Sequence, residues 1–310
     1  MNLALIFPGQ GSQYVGMGKS LAENFLESKQ VFERVDEALG ENLSKLIWEG
    51  SEEVLKQTQN AQPALMATSM AAIEAARVVG FDFGNVRYVA GHSLGEYSAL
   101  CFSGAISLED TAIILRKRGK AMQNAVKPGD GAMAAIIGIG LEEVKEAIAN
   151  ILGHGVCEVA NDNEPKQIVI SGHKKKVEKS LEVLKAIGAR RAVLLPVSAP
   201  FHCSLMEPAV RELEGSILDL ELRKLSIPII SNVTSEEIFD PKEVKISLIN
   251  QITYPVRWRE SISYLSVKGI NNFIEFGPGK VLSGLVKRIL EDPIISNIGE
   301  FSDLEKLKEK

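Results

Sequence analysis

The chain has 310 residues and a formal net charge of −5, from 35 Lys plus Arg against 40 Asp plus Glu, which excludes a surface built throughout for nucleic acid or anionic lipid. With 45% hydrophobic and 24% charged residues it can bury a large core, so general disorder is excluded as well. The three cysteines, Cys101, Cys157 and Cys203, are odd in number, far apart and never in a CxxC, so neither a disulfide framework nor a zinc site is expected and a reducing cytoplasm fits best.

The apolar run 3–7 reads as a buried strand, too short for a signal h-region or a membrane span, and it runs into the loop Pro8-Gly-Gln-Gly-Ser-Gln13. Helical patterns follow at 20–39 and 64–79, the second rich in Ala and Met and so expected to be buried over most of its surface. A short strand at 87–90 leads into Gly91-His-Ser-Leu-Gly95 and a helix to about Phe102; Ser107 to Asp110 then looks like a capped start of a helix reaching about Ala125. Pro128-Gly-Asp-Gly131 breaks the chain.

Between Gly131 and Val197 the elements read strand 132–139, helix 141–151, strand 156–160, strand 167–171, helix 174–187 and strand 190–197. This βαββαβ order is the ferredoxin-like split unit, four strands with two helices on one face. Beyond a loop at 198–202 come a helix at 206–218, a strand at 227–233, a helix at 241–251 and a strand at 270–276 ending in Gly277-Pro-Gly279. The expected fold class is α/β: a large domain with a mostly parallel sheet from 1–128 and 199–310, interrupted by a small ferredoxin-like subdomain at 129–198. The last eight residues, 303–310, are mostly charged and read as frayed or as a solvated helix end.

Gly91-His-Ser-Leu-Gly95 has the form GxSxG between a predicted strand and a predicted helix. Small residues on either side allow a turn tight enough to push the Ser93 hydroxyl into the open at a helix N-terminus, where free N–H groups favour an oxyanion. Ser93 is therefore the favoured nucleophile, against a glycine-rich turn with an incidental serine. A serine needs a base, and there are four histidines. His92 adjoins Ser93 and diverges from it, His154 lies in a small-domain loop, and His173 opens a lysine-rich helix and looks solvated. His202 follows Pro200-Phe201 where the chain re-enters the large domain, so it can face the cleft as base. On the helix that follows Ser107, Arg116 and Lys117 fall on polar faces, whereas Arg118 is the one charge on a stripe with Thr111, Ile114, Ala121 and Ala125. That is where a guanidinium would meet a carboxylate bidentately; a structural ion pair is the alternative.

Together, Phe7-Pro-Gly-Gln-Gly-Ser-Gln13, Thr58-Gln-Asn-Ala-Gln-Pro-Ala-Leu65, Gly91-His-Ser-Leu-Gly-Glu-Tyr97, Arg118-Gly-Lys120, Gly131-Ala-Met-Ala-Ala135, Pro196-Val-Ser-Ala-Pro-Phe-His202 and Glu275-Phe-Gly-Pro-Gly-Lys280 resemble the malonyl-CoA:acyl carrier protein transacylases over essentially the whole chain. The resemblance implies an α/β-hydrolase-like core with a ferredoxin-like insert. It also implies ping-pong transfer of malonyl from coenzyme A to the phosphopantetheine thiol of acyl carrier protein, both thioesters being substrates and no cofactor being bound. It assigns Ser93 as the acylated residue, His202 as its base, Arg118 as the malonyl-carboxylate ligand, and the backbone N–H groups of Gln10 and Leu94 as the oxyanion hole. A backbone carbonyl at Gln251 or its neighbour Asn250 would orient the histidine, in place of an acid. Asn60-Ala61 departs from the usual TQPAL-like run and leaves Gln62 without an assigned role, Phe201 replaces smaller polar residues of some relatives, and Asn161 and Asn163 resemble positions near the site or simply serve turns.

The stretch 173–191 carries a net charge of +5 on a chain of net −5. Acyl carrier proteins are acidic as a family, so Lys174, Lys175, Lys176, Arg190 and Arg191 are a candidate docking surface; a solvated helix face is the plainer reading. No nucleic acid or membrane partner is expected.

Overall fold

A computed structural model describes residues 2–308. Among these residues the strands are β1 (Leu3–Phe7), β2 (Val86–Gly91), β3 (Gly131–Ile137), β4 (Cys157–Glu164), β5 (Gln167–His173), β6 (Arg191–Leu194), β7 (Ile229–Ile230), β8 (Glu237–Ile238), β9 (Asn272–Phe276) and β10 (Ile294–Ile298). One sheet has the order β10-β9-β1-β2-β7-β8 and is parallel except for the β7–β8 pair. β1 lies inside it with all five residues buried, which is what an uninterrupted Leu-Ala-Leu-Ile-Phe run specifies for a strand covered on both faces. The Ala-rich helix Thr58–Val78 crosses between β1 and β2 and packs against helices Leu26–Leu39 and Leu108–Asn124.

The second sheet, β4-β5-β3-β6, is antiparallel throughout, the strand order of a ferredoxin-like unit. Side chains alternate across it. Ala134, Ile136, Ile168 and Ile170 pack with Val144, Val177 and Leu184 of helices Leu141–Ala149 and Lys174–Ala186, while Met133, Ala160 and Val169 join the main core on the opposite face. The same period of two thus gives the small sheet two buried sets of side chains, one under its own helices and one joined to the main core. β4 is fastened there: Asp162 N–H donates to the Val256 carbonyl at 2.9 Å, Val256 N–H to that of Ala160 at 2.8 Å, and Arg259 holds the Asp162 carboxylate through Nε and Nη2.

Several elements differ from the sequence expectation. The segment expected as one helix over 20–39 breaks at Phe25, whose extended backbone separates Lys19–Asn24 from Leu26–Leu39. The helix expected from Ala64 begins at Thr58 and contains Pro63, which cannot donate to the Gln59 carbonyl; Arg116 Nη1 does so instead at 2.8 Å. Arg116 is therefore buried, joined also to Asn60 Oδ1 and Glu41, and is not the solvated residue its polar neighbours suggested. The strand expected over 227–233 pairs only at Ile229–Ile230, and that expected over 190–197 only at Arg191–Leu194. Helices Leu43–Glu49, Glu52–Lys56, Trp258–Val267 and Val281–Ile289, and the strands β8 and β10, have no counterpart in the sequence reading. At the C-terminus a helix Phe301–Lys308 forms and buries Leu304; residues 309–310 of the expected frayed end lie outside the described residues. No described helix is long and apolar enough to cross a membrane.

Candidate active site

β1 and β2 are parallel neighbours with Phe7 opposite Gly91, so the loop after β1 and the turn after β2 emerge together at the C-terminal edge of the sheet, where open α/β sheets place their ligand sites. The turn is as tight as its sequence implies. Ser93 has φ 53°, in the left-handed region, and a Cβ on Gly91 would stand 1.9 Å from the Gly95 carbonyl. Gly91→Ala is accordingly expected to cost at least about 1–3 kcal/mol of stability, the usual range for forced overpacking, read as a lower urea midpoint with unchanged slope.

Asn232, 1% exposed at the end of β7, clamps this turn from both sides: its Oδ1 accepts from Ser93 N–H at 2.7 Å and its Nδ2 donates to the Gly91 carbonyl at 2.7 Å. The Ser93 N–H is thereby occupied, whereas those of Gln10 and Leu94 make no hydrogen bond to any described residue. Both residues line the same cavity of about 480 Å³ as Ser93, His202 and Arg118.

Ser93 Oγ lies 2.8 Å from His202 Nε2, and His202 Nδ1 lies 2.8 Å from the Gln251 carbonyl. A carbonyl only accepts, so Nδ1 carries the proton and Nε2 is left as the acceptor facing the serine. Of the two positions left open by the sequence, Gln251 therefore holds the histidine; the Asn250 carbonyl accepts from Thr253 and Tyr254 N–H groups instead. Burial first, and then the nearby Arg118 charge, push the His202 pKa down to about 3, so the ring is neutral at ordinary pH. None of the remaining histidines is hydrogen-bonded to Ser93, although His92 lines the same cavity. His92 turns to Asn163 of β4 at 2.9 Å, and His173 is half-buried with its Nδ1 accepting from Val156 N–H, not solvated as expected.

Arg118 is 1% exposed and stands in the stripe expected from the helical period. Its Nη1 donates to Gln62 Oε1 at 2.7 Å, and its Nη2 to Gln251 Oε1 at 2.9 Å and to Ser93 Oγ at 3.1 Å. Nε is buried with no partner, and no carboxylate pairs with the guanidinium among the described residues. The structural ion pair falls on Arg116; Arg118 is a buried cation held by two amides beside a serine. Sequence reasoning left Gln62 without a role and passed over Asn232 and Glu96. An amide at the end of a strand in a parallel sheet is the weak signal that could have marked Asn232.

An acyl transferase domain family model matches residues 4–302. The Bacillus subtilis malonyl CoA-acyl carrier protein transacylase is 46% identical over 288 residues, 93% of this chain and 90% of that protein, and the Escherichia coli K12 protein of the same name is 39% identical over 96% of both. Among solved structures, the acyl-carrier-protein-S-malonyltransferase of Bartonella henselae superimposes with a TM-score of 0.96 at 48% identity, covering 100% of this chain and 99% of that one. A malonyl-transacylase solved in complex with its type II PKS acyl-carrier protein gives a TM-score of 0.96 at 36% identity, with both chains covered fully.

Proposed function

This chain belongs to the acyl transferase domain family and, within it, to the malonyl CoA-acyl carrier protein transacylases, and we propose that Ser93 carries the malonyl group between two thiols. Malonyl passes from coenzyme A to the phosphopantetheine thiol of acyl carrier protein, the transfer that supplies fatty acid synthesis. The observation that carries the two-step reading is one oxygen, Ser93 Oγ, lying 2.8 Å from an unprotonated imidazole nitrogen and 3.1 Å from a buried guanidinium. The first makes it a nucleophile; the second selects an acyl group that ends in a carboxylate.

In the first step Oγ bonds to the thioester carbonyl carbon as its proton passes to His202 Nε2, and the oxyanion is held by the N–H groups of Gln10 and Leu94. The C–S bond then breaks, and the departing sulfur takes the proton back from Nε2. Arg118 releases Ser93 Oγ and turns Nη2, with the unpartnered Nε, to the malonyl carboxylate, while Gln62 and Gln251 keep the guanidinium in place. The carrier thiol enters in the second step and reverses these events. No bound cofactor is needed, since both thioesters are substrates. We take 129–198 as the subdomain inserted between 1–128 and 199–310, and the three free cysteines are in keeping with a reducing cytoplasm.

A serine hydrolase would share Ser93 and His202 but deliver the acyl group to water. With labelled malonyl-CoA and holo carrier together, malonyl-carrier is expected to exceed free malonate at every time point; free malonate as the main product would turn the reading to a thioesterase.

For the carrier we propose docking at Lys174, Lys175 and Lys176, which open the helix Lys174–Ala186 with no acidic residue in its first turn. A helix N-terminus is already positive, so this surface gains most from an acidic partner. Arg190 and Arg191 are exposed beyond the other end of that helix, about 20 Å away at 1.5 Å per residue, and form a separate part of the surface. Lys174→Glu with Lys175→Glu is expected to raise the KM for carrier about 3–10-fold at low salt, with the difference shrinking as salt rises and acylation by malonyl-CoA unchanged. Unchanged carrier kinetics would make these lysines a solvated helix face.

A further inference from the structure

A buried guanidinium without a carboxylate partner is costly, and the described residues contain one acid that reaches it through a single side chain. Arg118 Nη2 donates to Gln251 Oε1 at 2.9 Å, and Gln251 Nε2 in turn donates to Glu96 Oε2 at 2.6 Å. Glu96 is 1% exposed in the first turn of helix Gly95–Phe102, three residues after the nucleophile. The amide thus stands between a buried cation and a buried acid with its oxygen toward one and its nitrogen toward the other, the orientation that couples them.

We propose that Glu96 is the counter-charge of Arg118 while the acyl site is empty, and that Glu96 takes up a proton from solvent when the malonyl carboxylate arrives on the guanidinium. Before binding, one positive and one negative group share the buried site. Binding adds a second negative group, and protonation of Glu96 restores the balance. This makes Glu96 a positioning and selectivity residue that acts through Gln251, and it rests on the reading of Arg118 as the malonyl ligand.

The surroundings support a proton change in the ordinary range. Burial raises the Glu96 pKa, while the bonds from Gln251 and from Asn232 N–H at 3.2 Å and the Arg118 charge hold it down, leaving it at about 7. Of the elements packed against its helix (Thr58–Val78, Leu108–Asn124, β1, β2 and β7), Thr58–Val78 brings Glu74 and Arg77 and Leu108–Asn124 brings Glu109 toward the far end at Cys101 and Phe102, and the charge that acts on Glu96 itself is Arg118. On its own helix Tyr97 is pushed up to about 12, and beyond Gln251 His202 is pushed down to about 3, so both stay neutral between pH 7 and 9. Neutralising Arg118 removes an interaction that favours the carboxylate, so the Glu96 pKa rises on malonyl binding. Malonyl binding therefore takes up protons and weakens as pH rises above about 7.

Glu96→Gln separates charge from shape. Both hydrogen bonds to the carboxylate end on Oε2, and a glutamine can put its oxygen there, leaving its NH₂ where Oε1 makes no hydrogen bond to a described residue. In the wild type, KM for malonyl-CoA in the acylation half-reaction is expected to rise roughly 3–10-fold between pH 7 and 9 with little change in kcat, while acylation by acetyl-CoA shows no such rise. In Glu96→Gln the rise disappears, and the variant uses malonyl-CoA at pH 9 with a lower KM than the wild type. An equal rise in both proteins overturns the proposal.

A second measurement needs no variant. Proton uptake followed with an indicator dye during a single wild-type acylation, malonyl-CoA minus acetyl-CoA so that the common thiol cancels, is expected to reach about 0.2–0.6 proton per site near pH 8, the uptake that corresponds to a 3–10-fold rise in KM over two pH units. No difference between the two acyl groups overturns the proposal even if Glu96→Gln does not fold. If Arg118→Ala leaves malonyl selectivity intact, the reading of Arg118 fails first, and the two failures are told apart.

Discussion

Arg118→Ala is expected to lower malonyl transfer by about 10²–10⁴-fold while acetyl-CoA is used as well as before or better. The magnitude follows from leaving one member of a buried charged pair alone, about 3–5 kcal/mol where water cannot compensate. Direction matters more than size here. The guanidinium donates to Gln62, Gln251 and Ser93 Oγ and lies against the Tyr97 ring, none of them an acid, so its removal breaks no ion pair of the fold, and the loss should appear only with an acyl group that carries a carboxylate. Arg118→Lys should recover part of the malonyl activity, because an ammonium supplies charge without the planar fork. Acylation rates with malonyl-CoA and acetyl-CoA, measured separately for each variant, check this. Equal loss with both acyl groups would make Arg118 a scaffold for Ser93.

His202→Ala should slow both half-reactions by about 10²–10⁴-fold, the range for losing a positioned general base. The fold should survive, since the ring's hydrogen bonds are confined to Ser93 Oγ and the Gln251 carbonyl. The pH profile of the wild type adds a sign test. A base with the ordinary histidine pKa would lose activity below about 6.5. His202, pushed down to about 3 by burial and by Arg118, stays neutral well below that, so acylation at low substrate should remain high to pH 5. A fall centred near 6.5 would point to a ring more solvated than this one.

These groups differ in how plainly the sequence announces them, and the difference is one of range. Ser93 is local: five consecutive residues specify a turn whose φ of 53° and whose close approach of Gly91 to Gly95 follow from the glycines themselves. Arg118 is legible through the helical period, because a lone cation on a small, apolar stripe must be buried. The same reasoning misplaces Arg116, since its polar neighbours give no sign that Pro63, more than fifty positions away, leaves a carbonyl for it to satisfy. The βαββαβ order is readable from alternation, but the break at Phe25 and the shortening of β7 depend on what packs around them. Gln62, Asn232 and Glu96 are the hardest to see. Amides and a single acid carry no pattern of their own, and they matter here because 49 to 158 residues of chain fold so that Gln251 meets Ser93, Glu96, Arg118 and His202 at once.

Whether malonyl rests on Ser93 between the two thiols is decided by intact-protein mass spectrometry after mixing with malonyl-CoA and rapid acid quench. A single malonyl adduct is expected, mapped to Ser93 by peptide digestion, absent in Ser93→Ala and discharged when holo carrier is added before the quench. Malonyl found on another residue, or transfer to carrier at the wild-type rate by Ser93→Ala, would contradict it.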